Sequence, residues 1–217
     1  MLNKAIYIQY CLGNKTYKDF GIASDKIYKL PIVEGKMMYD GWKLNTHHFT
    51  TDYHMKYSIP LFKETLKLDY NRNDFILKER YSGEYDLSML KPKKNYEYEA
   101  YGYTRGEHFD SLSFDEITSN DSNSAEITDY HRLYKYSHEC SRLINKTLNN
   151  DRKLFISGDS QMIPNIAFLS CFFKEVWYFD NRKKLKLSDK YKDINFSDIL
   201  IELNSDAKND YMIRNFM

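Results

Sequence analysis

Residues 153–203 contain three short apolar runs, and this pattern restricts the fold more than any other feature of the sequence. The runs span residues 153–157, 175–179 and 199–203, and each has the length of a buried strand. Between the first two, Pro164 can occupy the first turn of a helix whose buried side carries residues 166–173. Strands that alternate with such connections predict an α/β fold built on a parallel sheet.

A further helix is predicted just before this region, over residues 131–148. Leu133, Tyr136, Cys140 and Leu143 recur at helical spacing, and charged residues lie between them. Asn149 and the residues after it end the pattern.

The first two thirds of the chain are less regular. Residues 83–103 are rich in Tyr, Glu and Lys and alternate only weakly, which favours loops and short strands; residues 111–124 are polar and are predicted to form an exposed loop. Residues 1–44 contain only short apolar pieces. We therefore predict an N-terminal segment of unassigned structure (1–44) and one domain (45–217) with a loop and short-strand insertion around 83–124.

Charge and cysteine content exclude several classes of function. Lysine plus arginine number 32 and aspartate plus glutamate 31, so no strong field favours nucleic acid or a membrane surface. No apolar run is long enough to span a bilayer. Three widely spaced cysteines predict neither a disulfide framework nor a zinc cluster, and no cofactor is predicted. As it stands the chain is predicted to be cytoplasmic; it would be periplasmic or extracellular if an export signal has been removed.

Polar residues follow each of the three predicted strands. Ser160, Asp180 and Asn204 fall at the carboxyl ends, where ligands bind in parallel sheets. Ser160 ends the tripeptide Gly158-Asp159-Ser160, which is either a simple turn or a nucleophile turn. A serine hydroxyl becomes a nucleophile when a histidine takes its proton and a carboxylate orients that histidine.

Two identical Thr-Asp-Tyr-His phrases could supply the histidine and the carboxylate. One ends in Asp52, Tyr53 and His54, and the other in Asp129, Tyr130 and His131. Asp129 and His131 begin the predicted helix, where capping explains the aspartate. Capping also explains Asp52, so the pattern alone leaves the choice open. A small metal site around His54 is the other possibility, but it would need further ligands.

Four segments in combination resemble the SGNH-hydrolase-like carbohydrate O-acetyltransferases, especially the alginate O-acetylation proteins and their relatives. These are residues 51–54, 75–87, 154–160 and 174–182. In that group an Asp-x-His motif precedes a Gly-Asp-Ser nucleophile, and a strand ending in Asp-x-Arg follows, as in Asp180-Asn181-Arg182. The resemblance covers roughly residues 45–204. It implies an SGNH- or flavodoxin-like three-layer parallel sheet.

The resemblance also implies roles for individual residues. Its motif order places the Asp-x-His motif far upstream, and Ser160 lies 106 residues after His54 but 29 after His131. Ser160 is therefore expected to attack an acyl carbonyl, with His54 as general base and Asp52 orienting it. The Ser160 backbone N–H and the Asn204 side chain are expected to hold the oxyanion.

The expected activity is O-acetyl transfer to, or removal from, a cell-surface polysaccharide or oligosaccharide. The carbohydrate is the expected partner, and the acyl donor is unidentified. An esterase for small acyl esters is the nearest enzymatic alternative. Met55 stands where the family motif has tryptophan after the histidine. This departure keeps open a non-catalytic carbohydrate-binding or scaffold protein on the same fold.

Overall fold

The structure is a computed structural model, which describes residues 5–10, 24–31, 37–40, 43–49, 53–78, 89–94, 96–102, 111–113, 140–159, 162–180 and 193–203. Twelve strands lie in these ranges. The first six are β1 (Ala5–Tyr10), β2 (Ile27–Leu30), β3 (Met37–Asp40), β4 (Lys43–Phe49), β5 (Phe75–Lys78) and β6 (Met89–Pro92). The others are β7 (Glu97–Gly102), β8 (Ser111–Ser113), β9 (Cys140–Asn145), β10 (Lys153–Gly158), β11 (Glu175–Asp180) and β12 (Asp198–Glu202).

Eight of these strands form one mixed sheet in the order β2-β1-β12-β10-β11-β9-β7-β8. The first five strands in this order are parallel to one another. The last three strands continue the sheet beyond β11, and each is antiparallel to the strand before it in this order. The predicted α/β fold with a mostly parallel sheet is therefore confirmed, and the three apolar runs of the sequence form its centre as β10, β11 and β12.

Both faces of the central strands are buried, as in a three-layer α/β fold. On one face Leu154, Ile156 and Leu200 belong to the main hydrophobic cluster, together with residues of the two α-helices. On the other face the rings of Phe155 and Phe179 stack with centroids 4.8 Å apart. Because side chains alternate along a strand, burial on both faces requires apolar residues at consecutive positions, as the sequence shows.

Two α-helices lie among the described residues. Helix α1 (Ile59–Thr65) continues directly from a π-helical turn at His54–Ser58, in which Ile59 N–H donates to the carbonyl of His54. Helix α2 (Ile163–Leu169) has Pro164 in its first turn, as predicted. It ends earlier than residue 173, because Cys171 and Phe172 donate to carbonyls only three residues back and tighten the last turn.

The prediction of a helix over residues 131–148 is wrong where the structure describes this segment, because Cys140–Asn145 forms β9. Strand β9 pairs antiparallel with β11 on one side and with β7 on the other. Leu143 and Asn145 are buried while Arg142 and Ile144 are half-buried, an alternation of period two. Backbone pairing with two distant strands overrides a local apolar spacing that also fits a helix. Residues 131–139 lie outside the described residues.

The N-terminal and middle segments also contribute to the sheet. Strands β1 and β2 come from residues 1–44, and β1 pairs with the central strand β12. Strands β7 and β8 come from residues 83–124, so the predicted loop over 111–124 is wrong at residues 111–113. Strands β3 and β4 form one separate hairpin, and β5 and β6 form another. The division into domains at residue 44 stays a prediction. In the described part of the chain, no helix is long and apolar enough to cross a membrane.

Candidate functional site

The carboxyl ends of the parallel strands form one edge of the sheet. At this edge β2 ends at Leu30, β10 at Gly158, β11 at Asp180 and β12 at Glu202. In open α/β sheets, ligands bind in the crevice beyond this edge. Of the predicted site residues, Ser160 and Asn204 come two positions after the ends of β10 and β12, but both lie outside the described residues.

Side chains from the two neighbouring strands hold the turn that follows β10 by hydrogen bonds to its backbone. Asp159 N–H donates to Glu202 Oε2 at 2.8 Å, and the Tyr178 hydroxyl shares its one proton between the carbonyl oxygens of Gly158 (3.1 Å) and Asp159 (2.9 Å). Met162 N–H closes the turn on the Asp159 carbonyl at 3.1 Å. All three of these hydrogen-bonding contacts of Asp159 are made by its main chain.

Gly158 is required by the close approach of its neighbours. A Cβ atom at this position would lie 2.5 Å from Met162 Cγ, 2.7 Å from Glu202 Oε2 and 2.9 Å from Met162 Cβ. All three distances are shorter than van der Waals contact, so a larger residue would force the carboxylate or the turn to move. Packing alone therefore explains why a glycine precedes Asp159, independently of any catalytic role.

His54 begins the π-helical turn that leads into α1. Its imidazole is buried, and Nδ1 lies 2.9 Å from Ser58 Oγ. Ser58 itself is fully buried. Single π-helical turns inside α-helices occur frequently at functional sites. When Nδ1 carries the proton it donates to Ser58 Oγ, and Nε2 is then the basic nitrogen of the ring.

Tyr53, the central residue of the Asp-x-His phrase, ties this turn to the sheet. The Tyr53 hydroxyl donates to the carbonyl of Pro31 at 2.6 Å, and Pro31 directly follows the last residue of β2. The Tyr53 ring is fully buried and meets the His54 imidazole edge-on, with centroids 5.6 Å apart. Since β2 and β10 are parallel members of one sheet, the Tyr53 contact with Pro31 and the Gly158-Asp159 turn lie at the same edge, with β1 and β12 between the two strands.

The other predicted site residues cannot be placed. Asp52, Asp129 and His131, like Ser160 and Asn204, lie outside the described residues. The structure therefore brings one predicted residue, His54, to the edge of the sheet where the predicted nucleophile turn begins. The pairing of His54 with Ser160 and Asp52 stays a prediction.

Three residues that organise this edge were not singled out from the sequence. Ser58 is four residues after His54, a spacing that faces the same side of a helix and could have been noticed. Tyr53 is an aromatic residue inside the motif. Glu202 is the single acid within the apolar run 199–203, and a charged residue in such a run indicates a specific partner.

The opposite edge of the sheet has no sign of nucleophilic chemistry in its described residues. Burial raises the pKa of the Cys171 thiol to about 12, so the thiolate is not available near neutral pH. A cavity of about 520 Å³ lies there, with Phe75, Tyr96 and Phe172 among its lining residues. Within the described ranges, no three His, Cys, Asp or Glu side chains lie close enough together to hold a metal ion.

Comparison with known proteins supports the fold. No protein-family model matches the chain, and no curated protein sequence matches it significantly. A DHHW family protein from Eubacterium siraeum superimposes with a TM-score of 0.59 at 13% identity, covering 98% of this chain and 82% of that one. PatB1 of Bacillus cereus superimposes with a TM-score of 0.56 at 14% identity, covering 93% and 82%.

A second structure of Bacillus cereus PatB1, which contains a sulfonyl adduct, gives a TM-score of 0.54 at 16% identity. It covers 80% of this chain, and this chain spans 62% of its length. These likenesses show a shared fold. They assign no activity, because sites differ widely among proteins of one fold.

Proposed function

We propose that this protein performs serine-dependent acyl-group chemistry on carbohydrate, through an acyl-serine intermediate. One observation carries the proposal: the His54 turn and the Gly158-Asp159 turn meet the same carboxyl-terminal edge of the parallel sheet. A nucleophile and its base have to share a pocket, and this edge is where α/β folds bind their ligands.

In the proposed mechanism, Ser160 Oγ attacks the acyl carbonyl carbon and His54 Nε2 accepts the hydroxyl proton. The tetrahedral oxyanion is held by the Ser160 backbone N–H and the Asn204 side chain. His54 returns the proton to the leaving alcohol, which leaves an acyl-serine. In the second half, His54 deprotonates a sugar hydroxyl or a water molecule, which attacks the acyl carbon; the bond to Ser160 Oγ breaks, and His54 returns the proton to that oxygen.

The contact between His54 and Ser58 is compatible with this assignment in one tautomer of the ring. A general base at Nε2 needs the ring proton on Nδ1, and in that tautomer Nδ1–H donates to Ser58 Oγ; a serine hydroxyl can also donate to an unprotonated Nδ1, so the contact by itself does not select the tautomer. Ser58 Oγ lies 2.9 Å from Nδ1 in a fully buried position. Asp52, two residues before the histidine, is proposed to stabilise the imidazolium that forms during the reaction.

The comparisons support a test with a sulfonyl reagent. Sulfonyl fluorides attach covalently to hydroxyl groups that a neighbouring base has activated. PatB1, which shares this fold, has been captured with a sulfonyl adduct. The same class of reagent therefore provides a direct probe for an activated serine in this chain.

The experiment is covalent labelling with a sulfonyl fluoride, followed by mass spectrometry of the digested protein. We expect one adduct, on the peptide that contains Ser160, and none in Ser160→Ala. The duplicated Thr-Asp-Tyr-His phrase supplies a matched control. His54→Gln is expected to slow labelling by at least about 100-fold, the usual effect of removing a general base, while His131→Gln labels at the parental rate.

Two results would reassign or overturn the proposal. Loss of labelling in His131→Gln alone would move the base to His131 and Asp129. No labelling of Ser160 in the parent, together with no hydrolysis of p-nitrophenyl acetate, would favour the non-catalytic carbohydrate-binding protein. Once an acyl-serine is detected, adding candidate oligosaccharide acceptors separates transfer from hydrolysis, because only a transferase moves the acyl group to the sugar. The cellular compartment stays a prediction of the sequence.

A further inference from the structure

Glu202 is a buried acid on an apolar face of the sheet. It is 2% exposed and is the last residue of β12. It pairs in register with Ile8 of β1, and it points to the same side as Leu200, two residues earlier. Both of these neighbours belong to the main hydrophobic cluster.

Burial of a carboxylate costs free energy unless hydrogen bonds compensate, so such a group indicates a specific task. Glu202 Oε2 accepts the backbone N–H of Asp159 at 2.8 Å. The same oxygen lies against Gly158, where an added Cβ would come within 2.7 Å of it. The carboxylate therefore contacts both residues that precede Ser160.

We propose that Glu202 is a positioning residue that fixes the backbone of the turn leading to Ser160. As a statement about catalysis, this inference rests on the function proposed above. Tyr178 holds the carbonyl oxygens of Gly158 and Asp159, and Glu202 holds the N–H of Asp159 from the neighbouring strand. With both kinds of backbone group held, the Asp159 peptide is restrained in the orientation that determines where the next residue begins.

This restraint matters for the reaction because a nucleophile and its oxyanion site depend on precise placement. A displacement of about 1 Å can slow an enzyme by about 100-fold. In the proposed mechanism the Ser160 backbone N–H is an oxyanion donor. It belongs to the Asp159–Ser160 peptide, whose carbonyl Tyr178 holds, and this peptide directly follows the Gly158–Asp159 peptide, whose N–H Glu202 holds. Glu202 acts on the Gly158–Asp159 peptide and not on the reacting atoms.

Two substitutions separate positioning from general stability. Glu202→Gln keeps an oxygen that can accept the Asp159 N–H, so sulfonyl labelling of Ser160 is expected to stay within a few-fold of the parent. Glu202→Leu removes the acceptor, while the leucine side chain still occupies most of the space, so the labelling rate is expected to fall about 100-fold. The melting temperature of Glu202→Leu is expected to fall, because the buried Asp159 N–H loses its acceptor, so labelling of every variant is measured well below its melting temperature.

Glu175→Leu is the matched control, since Glu175 is a second buried acid that starts β11 at the opposite edge of the sheet. It is expected to lower the melting temperature and leave the labelling rate unchanged. Parental labelling in Glu202→Leu would overturn the positioning role. A fall in labelling that only follows the melting temperature, in both leucine variants alike, would overturn it as well.

Amide hydrogen exchange of Asp159, read by NMR, tests the restraint without any reaction. Its N–H is expected to exchange much faster in Glu202→Leu than in the parent and in Glu202→Gln. If the three proteins show this exchange pattern but Ser160 of the parent is never labelled, the proposed function fails and the restraint stands. If exchange is the same in all three proteins, Glu202 does not hold the turn, whatever the labelling shows.

Discussion

Replacing Glu175 by glutamine removes the charge from a site where four donor groups converge. Oε2 accepts Trp177 Nε1–H at 2.9 Å, Arg142 Nε–H at 3.0 Å and the Arg142 terminal amino group at 2.9 Å. Oε1 lies 3.1 Å from Lys153 Nζ. These contacts connect the neighbouring strands β9, β10 and β11, and the Glu175 side chain is only 10% exposed.

The expected loss is about 2 kcal/mol of unfolding free energy at pH 7. The hydrogen bonds to the charged carboxylate set the size of this loss, and the partial exposure of their donors reduces it. Hydrogen bonds to a charged group contribute about 1.5–3 kcal/mol each. Arg142 and Lys153 keep 26% and 35% of their side chains exposed, so water recovers part of their interaction after the change. A loss of this size corresponds to a melting temperature about 4–8 °C lower for a chain of this length.

The loss is expected to depend on pH. Burial by itself raises the pKa of Glu175, but the Trp177 N–H, Lys153 and Arg142 outweigh burial and hold the pKa below its ordinary value of 4.5. A carboxylate with a lowered pKa stabilises the fold fully above its unfolded value, and this contribution is lost as the pH falls through the folded value. Parent and variant should therefore begin to converge as the pH falls below 4.5 and should converge fully only once it lies below the lowered pKa of folded Glu175.

The assay is urea unfolding followed by tryptophan fluorescence at several pH values between 7 and 3. Glu97→Gln is the control, because Glu97 starts β7 as Glu175 starts β11 but is exposed. It should change stability by less than about 0.5 kcal/mol. The reasoning is refuted if Glu175→Gln is as stable as the parent at pH 7, or if its deficit persists undiminished at pH 3.

Four further changes test other parts of the structure. Lys67→Gly should raise the unfolding free energy by about 1 kcal/mol, and with it the melting temperature, because Lys67 lies two residues after the last residue of α1 with a left-handed φ of 51°; a lower melting temperature would contradict this. Asn145→Ala should cost about 3 kcal/mol in urea unfolding, since its fully buried amide bonds four neighbouring groups; a loss below 1 kcal/mol would argue against that network. Gly158→Ala should lower the unfolding free energy in urea by about 1–3 kcal/mol, because the added methyl group overpacks the turn. The reverse exchange, Ala167→Gly, is measured in the same assay for comparison. With the other two cysteines changed to serine, Cys171 should react with dithionitrobenzoate only on unfolding; rapid native reaction would show that the thiol is accessible.

The central strands were predictable because burial on both faces leaves a continuous apolar signal. Strands β10, β11 and β12 correspond to the three apolar runs, and Pro164 correctly marked the start of α2. Strand β9 was not predictable in the same way. Its short segment fits the period of a helix and that of a strand, and its backbone pairs it with residues 31–39 positions later and 39–47 positions earlier.

Part of the candidate site was likewise predictable from the sequence, and part was decided only by the tertiary structure. The sequence alone provided the Asp-x-His phrase, the Gly-Asp-Ser turn and the parallel sheet whose carboxyl edge can hold them, because each is written in consecutive residues. Only the tertiary structure decided that Tyr53 anchors the His54 turn to the end of β2 and that Glu202 restrains Asp159 from the adjacent strand. These contacts join residues 22 and 43 positions apart. They depend on which strands become neighbours, which is set by the packing of the whole sheet and leaves no local pattern in the sequence.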